Sequence, residues 1–317
     1  MRKPSRAVLL LLLLCFLLSG APAQAADNGS WSVFPYATEL ARRPYFHLSA
    51  DPGDTVRDRV VVANKTARPM TFRLYAADAY NTARDGGFAV RTRKEKQRGV
   101  GVWARPARTR VTVPPRGRVT VPITIKVPER AEPGDHPGAI VALDERIDRG
   151  DGSLALGVQR AVAARVYLRI SGPTMPAISV ERVKVEHSRP MVPGTGPSTA
   201  VISYTLRNRG NVTLDPSVRL HASGLFGRTL LARSLSGTPA ELLPGQRVRL
   251  TARWNGAPQF DRGDITLTAS ARETRESASV SYLALPWVFV LAVAAILVTG
   301  VTVAVRTRRS RRGAGHI

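Results

Sequence analysis

Residues 52–78 read PGDTVRDRVVVANKTARPMTFRLYAAD, and residues 198–224 read STAVISYTLRNRGNVTLDPSVRLHASG. In the first stretch a Pro-Gly turn leads into Val56, Val60 and Val62, the chain breaks at Asn64-Lys65-Thr66, and a second apolar run follows Pro69. The second stretch repeats the plan: an alternating run ends at Asn208-Arg209-Gly210, a turn follows, and after Pro216 the alternation resumes. Apolar residues two apart line one face of a strand, and Asn, Gly and Pro punctuate strand ends. The resemblance continues downstream. TRVTVPPRGRVTVPITIKVP (109–128) parallels AELLPGQRVRLTARW (240–254), and EPGDHPGAIVALDE (132–145) parallels DRGDITLTASARE (261–273). Each unit is strand, turn, strand, a variable middle, strand, Pro-Gly turn, strand, Gly-Asp, strand.

That pattern predicts an all-β chain with two tandem immunoglobulin-like β-sandwich domains, over 31–170 and 176–281. They join near SGPTMPAIS (171–179), where Pro173 and Pro176 stiffen the linker. No stretch between the two ends of the chain shows helical periodicity.

The ends point to a membrane. MRKPSR, then AVLLLLLLCFLLSG, then Ala23-Gln24-Ala25 give the basic, apolar and cleavage regions of a secretory signal peptide over 1–25, with Ala26 as the expected mature start. Residues 283–305, LALPWVFVLAVAAILVTGVTVAV, carry no charge and predict one C-terminal transmembrane helix, about 35 Å long against a hydrocarbon core of about 30 Å. Arg306, Arg308, Arg309, Arg311 and Arg312 would hold the tail, 306–317, in the cytoplasm. The expectation is a single-pass type I cell-membrane protein with the bulk of the chain extracellular.

The single cysteine, Cys15, leaves with the signal peptide, which removes disulfides, thiol catalysis and cysteine-bound metal. His47, His136, His187, His221 and His316 form no ligand pair, and neither a nucleophile elbow nor a phosphate loop is present. The mature start ADNGSWSVFPY has no histidine, and Met70, Met175 and Met191 are dispersed, which argues against a copper-binding sandwich. Arg262-Gly263-Asp264 matches an adhesive tripeptide, but its counterpart Pro133-Gly134-Asp135 places it in a structural turn. The reading is of a protein that is not an enzyme, with no cofactor and no metal.

The formal net charge of +24 stays strongly positive once the signal and tail cations are set aside, so anionic partners are expected. Nucleic acid is in the wrong compartment. The charge concentrates between Arg84 and Arg118, with eleven Arg or Lys against Asp85 and Glu95. Tyr80, Phe88 and Trp103 are interleaved there. Aromatic faces suit sugar rings and cations suit carboxylates or phosphates, so Tyr80, Arg84, Phe88, Arg91, Arg93, Lys94, Lys96 and Arg98 are the candidate wall-binding residues. The plainer alternative is a solvated hairpin with Trp103 in the core.

WSVFPYATELARRPYFHLSADPGDTVRDRVVVANKTARPMTFRLYAADAYNTARDGG (31–87) resembles the peptidoglycan-binding domain of the WxL-interacting protein family. The shared features are Phe34-x-Pro, Tyr45-Phe46, Pro52-Gly53, the strand closing on Asn64, and Asp78, Thr82 and Gly86 in the family's D…T…G arrangement. Val113-Pro114-Pro115, Val127-Pro128 and Pro133-Gly134 extend the likeness to roughly residue 145. The resemblance implies a cell-surface anchor of Gram-positive-type bacteria whose first sandwich binds peptidoglycan or an associated anionic polymer and whose second holds a partner surface protein. Its motifs supply fold determinants and no ligand residues. A competing expectation is an assembly factor or chaperone-like scaffold that pairs a strand of another surface protein along an exposed sandwich edge, without wall binding.

Overall fold

The computed structural model describes residues 26–37, 43–146, 148–149, 157–285 and 287–313. The signal region lies outside them. The chain divides into two compact units, one formed by residues 26–79 and 90–172, the other by residues 80–89 and 173 onward.

In the first unit β1 (Ala26–Asp27), β2 (Trp31–Pro35), β4 (Thr55–Asn64), β9 (Arg118–Lys126) and β7 (Ala104–Pro106) form one sheet in the order β1-β2-β4-β9-β7. The facing sheet runs β3-β13-β10-β5-β6, built from β3 (Phe46–Ala50), β13 (Ala161–Ile170), β10 (Gly134–Asp144), β5 (Met70–Asn81) and β6 (Phe88–Val90), with β8 (Arg110–Val113) also on β5. The strands β5 and β6 cross the division between the units. The chain leaves the first sheet after β2 and joins the second as β3, parallel to β13. All other pairings in this unit with a defined register are antiparallel. A small hairpin, β11 (Asp148–Arg149) with β12 (Gly157–Val158), separates β10 from β13.

The expected alternation is what builds the core. Val60 and Val62 from β4 are fully buried, with Phe72 and Leu74 from β5 and Ile140 from β10. Trp31 meets Phe72 across the sandwich with ring centroids 5.3 Å apart. Burying side chains of this size is worth about 1.5–3 kcal/mol each, which lets a cysteine-free sandwich hold together. One short helix was not foreseen: α1 (Val100–Trp103), a single turn whose Val100 packs against Gly138 of β10.

The second unit has the sheets β14-β15-β18 and β17-β16-β19-β20. They comprise β14 (Ile178–Ser188), β15 (Thr199–Asn208), β18 (Arg247–Asn255), β16 (Ser217–Ser223), β17 (Thr229–Ser234), β19 (Asp261–Ala271) and β20 (Thr274–Ala284). Its core gathers Ile202, Leu206, Leu220, Val248, Ile265 and Leu267. Two expectations need correction. Arg262-Gly263-Asp264 lies within β19 and not in a turn, because Gly263 lets the strand approach the Ser223 carbonyl so closely that a Cβ would sit 1.8 Å from it. The segment Tyr80–Ala89, expected in the first domain, clusters with the second.

The C-terminal boundary also moves. Leu283 and Ala284 close β20, paired with Arg262 and Asp261, so they belong to the sheet. The helix α2 runs Trp287–Gly313. Its described apolar side chains, among them Leu291, Ile296, Leu297, Val298 and Val301, are exposed. The side chains of Trp287, Phe289, Val290 and residues 307–313 lie outside the described set, and among the described residues no helix is long and apolar enough to cross a membrane.

Candidate functional site

The D…T…G residues turn out to shape the backbone. The Asp78 carboxylate accepts hydrogen bonds from the backbone N–H groups of Arg98, Gly99 (3.1 Å) and Gly101 (2.8 Å), while Gln97 Oε1 accepts the Asp78 N–H at 2.8 Å. One carboxylate thus ties the Arg-Lys loop and α1 to the end of β5. Thr82 accepts the Gly86 N–H at 3.1 Å through its carbonyl, and its hydroxyl donates to Asp85. Gly86 takes φ +70°, a region open mainly to glycine.

The eight candidate residues are shared between the units. Arg91, Arg93, Lys94, Lys96 and Arg98 belong to the first, on the loop that Asp78 ties down. Arg91 pairs with Glu95 at 3.7 Å, and the Thr92 backbone N–H holds Glu95 below the usual carboxylate range. Arg93, Lys94, Lys96 and Arg98 are exposed. Beneath, burial pushes the Tyr75 phenol up, and Ala77, Ala139 and Val141 are sealed from water. Trp103 is half-buried, its ring 4.7 Å from that of His136. Tyr80, Arg84 and Phe88 fall in the second unit.

There, the sequence reading missed the company Arg84 keeps. Arg84, Arg182, Arg247 and Arg249 line a cavity of about 730 Å³, together with Thr205 and Thr251. On β18, Arg247 and Arg249 are two residues apart and share the outer face, directly beside Arg207 and Thr205 of β15. Arg182 arrives by a β-bulge in β14, where the register slips between Glu181 and Lys184 and its φ is +55°. A non-glycine residue in that region is strained, and bulges commonly re-aim a side chain. Glu181, next to Arg182 in sequence, is engaged by Arg209 at 2.8 Å, which holds its carboxyl low. The Ala83–Arg84 segment is fixed by the Arg249 N–H donating to the Ala83 carbonyl (3.3 Å) and by Asn81, which bonds the backbone of Glu241 and Leu243 at 2.8 Å each.

The second unit also carries long sheet edges. Edge strands of the first unit are short, two to five residues for β1, β3, β6 and β7. In the second, β20 is an edge of eleven residues, hydrogen-bonded in unbroken register to β19, while β14 runs alongside its other flank without backbone pairing among the described residues. From Ser277 to Ala284 it carries no charge, no proline and no glycine. Ser277, Ser279 and Ser281 form a ladder with Thr268 (2.9 Å), Thr266 (2.9 Å) and Asp264 (2.6 Å) of β19. Beside it lies a groove of about 240 Å³ lined by Val185, His187, Val280, Tyr282 and Leu283. Burial, and secondarily Arg189, pull the His187 imidazole down, and its Nε2 is buried without a hydrogen-bond partner among the described residues.

A third feature is on the first unit. His47 stacks on Tyr167, its parallel neighbour, at 5.2 Å, and Tyr45 meets Tyr167 edge-on at 5.8 Å. Arg165 lies over the Tyr45 ring at 5.4 Å and donates to the Tyr167 hydroxyl at 3.1 Å. His47, an exposed residue of β3, is therefore part of an aromatic set. Among the described residues no His, Asp or Glu group is arranged to hold a metal ion.

No protein-family model matches this sequence, and no curated protein matches it. Several solved structures are distantly similar to it. A chaperone–tip adhesin complex of CFA/I fimbriae biogenesis is 10% identical, with 82% of this chain and 100% of that chain covered, at a TM-score of 0.35. The class 5 fimbriae chaperone CfaA is 9% identical, covering 80% of this chain and 100% of that one, at 0.34. The Salmonella enterica SafA pilin in complex with the SafB chaperone is 8% identical, covering 82% and 99%, at 0.34. Likenesses this distant carry no argument about function. The immunoglobulin-like all-β architecture rests on the strand pairings themselves.

Proposed function

We propose that this chain is a non-enzymatic assembly factor or scaffold for surface proteins, exported, held by its C-terminal helix, and acting through an open sandwich edge. The observation that carries this reading is the outer edge of β20. Natural sheets blunt their edges with short strands, charges, prolines or bulges, because a row of unpaired N–H and C=O groups is a template for another strand. The first unit uses short strands, β14 has its bulge, and β18 has its arginines. The Ser277–Ala284 run of β20 carries no charge, proline or bulge, and the flank it leaves without backbone pairing faces a groove walled by Val185 and His187 of β14, wide enough in places to admit side chains of an added strand. Strand addition supplies affinity through main-chain hydrogen bonds and specificity through side-chain pockets next to the edge. The exposed apolar side chains described on α2, among them Leu291, Ile296, Leu297 and Val301, and the absence of charge in the sequence from 287 to 305, support a membrane anchor.

The test is photo-crosslinking on intact cells from full-length protein carrying a photoreactive residue at Ser279. This reading expects one stoichiometric protein adduct, abolished by S277K combined with S281K. No adduct from β20 would sink it. A second reading, a wall-binding anchor as the WxL-interacting resemblance implies, is favoured by the aromatic set of Tyr45, His47 and Tyr167 with Arg165. Rings backed by a cation suit the faces of sugars. It expects retention of the full chain on purified peptidoglycan sacculi and loss of that retention in Y45A/Y167A. Sacculi that retain the double variant as well as the wild type would remove it.

A further inference from the structure

We infer that the cavity lined by Arg84, Arg182, Arg247 and Arg249 is a binding site for a phosphate-bearing chain, of the polyol-phosphate or sugar-phosphate kind. This goes beyond the strand-edge reading and does not depend on it.

The argument starts from charge. Four guanidiniums from three separate segments converge on one concavity, and no carboxylate lines it. None of the four makes an ion pair among the described residues; Glu181 is taken by Arg209 and Arg207, and Asp85, which feels Arg84 only through space, is engaged by the Thr82 hydroxyl and the Gly87 N–H (3.1 Å). Like charges held together repel, so the arrangement is destabilising until an anion enters. The arginines do not sit there by default of a flat basic surface. Arg182 is delivered by a strained bulge and Arg84 by a segment anchored through the buried Asn81, so backbone organisation is committed to placing both.

The chemistry of the lining selects the ligand. Guanidinium forks match two oxygens of a phosphate with parallel hydrogen bonds, and Thr205 and Thr251 add hydroxyls at the same wall. A cavity of about 730 Å³ is far larger than one phosphate requires, so the ligand presents several. No aromatic residue lines it, so a nucleobase would find no face to stack on, which sets single-stranded nucleic acid aside. The sequence shows only half of this. The Arg247-x-Arg249 spacing puts two arginines on one strand face, but nothing local brings Arg84 and Arg182 to them.

The experiment is a titration of the purified full chain in detergent with four probes across a salt series: inorganic tripolyphosphate, a glycerol-phosphate oligomer, a thymidine oligonucleotide of equal charge, and phosphatidylglycerol vesicles. Expected is binding of the first two, weakened about tenfold or more in R182Q/R249Q, since each lost guanidinium removes charge-assisted hydrogen bonds to phosphate. The salt slope should flatten as phosphate contacts are lost. R93Q/K94Q/K96Q, with the same or greater loss of charge on the first unit, should keep wild-type affinity, as should S277K/S281K. If R182Q/R249Q does not fold, R84Q/R247Q carries the same expectation. Equal weakening by the loop variant would mean net charge alone, and would overturn the site. So would tighter binding of the oligonucleotide, or binding confined to vesicles.

Discussion

Asn64 and Asn208 hold the same junction in the two sandwiches. Each closes its strand fully or almost fully buried, and each donates from Nδ2 to carbonyls of two separate turns. For Asn64 these are Arg68 (2.7 Å), Val113 (3.2 Å) and Pro114 (3.1 Å); for Asn208 they are Val212 (2.7 Å) and Leu242 (2.9 Å). Both side-chain oxygens accept a backbone N–H two residues on, from Thr66 and Gly210. Both backbone N–H groups donate to the carbonyl just before the next sheet neighbour, Gly117 ahead of β9 or Gln246 ahead of β18, at 2.9 Å.

Asn208→Ala should therefore destabilise the second unit by about 2–4 kcal/mol, since it strands two buried carbonyls and a turn N–H. Asn64→Ala should do the same to the first. Urea denaturation followed by tryptophan fluorescence reads both, and Asn→Asp should not rescue either, because a carboxylate cannot donate to the carbonyls.

Asp78→Ala should loosen the Arg-Lys loop while sparing the first core. The amides of Arg98, Gly99 and Gly101 lose their shared acceptor, and hydrogen exchange at these positions should accelerate by about tenfold or more. Asp78→Asn should show an intermediate effect, because its one oxygen serves fewer donors.

Acid should weaken the second unit through His187. Its native pKa is depressed, by burial first and by Arg189 second, so the neutral ring is the form the fold accepts. Above the unfolded value of about 6.5 the ring is neutral in both states and costs nothing. As pH falls below that value the unfolded chain takes up the proton first, and stability drops until the native ring also protonates. His187→Gln should flatten this part of the profile, measured as thermal midpoint between pH 7.5 and pH 5.

Gly263→Ala should be among the most damaging single-methyl changes in the chain. The added Cβ would meet the Ser223 carbonyl at 1.8 Å and the Gly224 Cα at 2.9 Å, both backbone. The β16–β19 pairing must part to admit it, and the loss should reach about 3 kcal/mol or more. Thermal unfolding reads it. A near-neutral result would mean the strands separate there with little resistance.

How much of this was legible beforehand depends on the range of the interaction. Strand alternation, the Asn-ended strands, the Pro-Gly turns and the repeated plan are local, and the side-chain period of two writes them directly into the sequence. They determined an all-β chain of immunoglobulin-like sheets, while the basic composition only set up the expectation of anionic partners. The end of β20 was misjudged because Leu283 and Ala284 are as apolar as a membrane helix, and only pairing with Arg262 and Asp261 shows them to be strand. The basic stretch read from Arg84 to Arg118 was contiguous, whereas the fold assigns its parts to different units and gives Arg84 the neighbours Arg182, Arg247 and Arg249. The aromatic set needed the parallel register that seats His47 beside Tyr167. Which edge stays open, which arginines converge and which carboxylate is already engaged are long-range outcomes of sheet order, and no local pattern encodes sheet order.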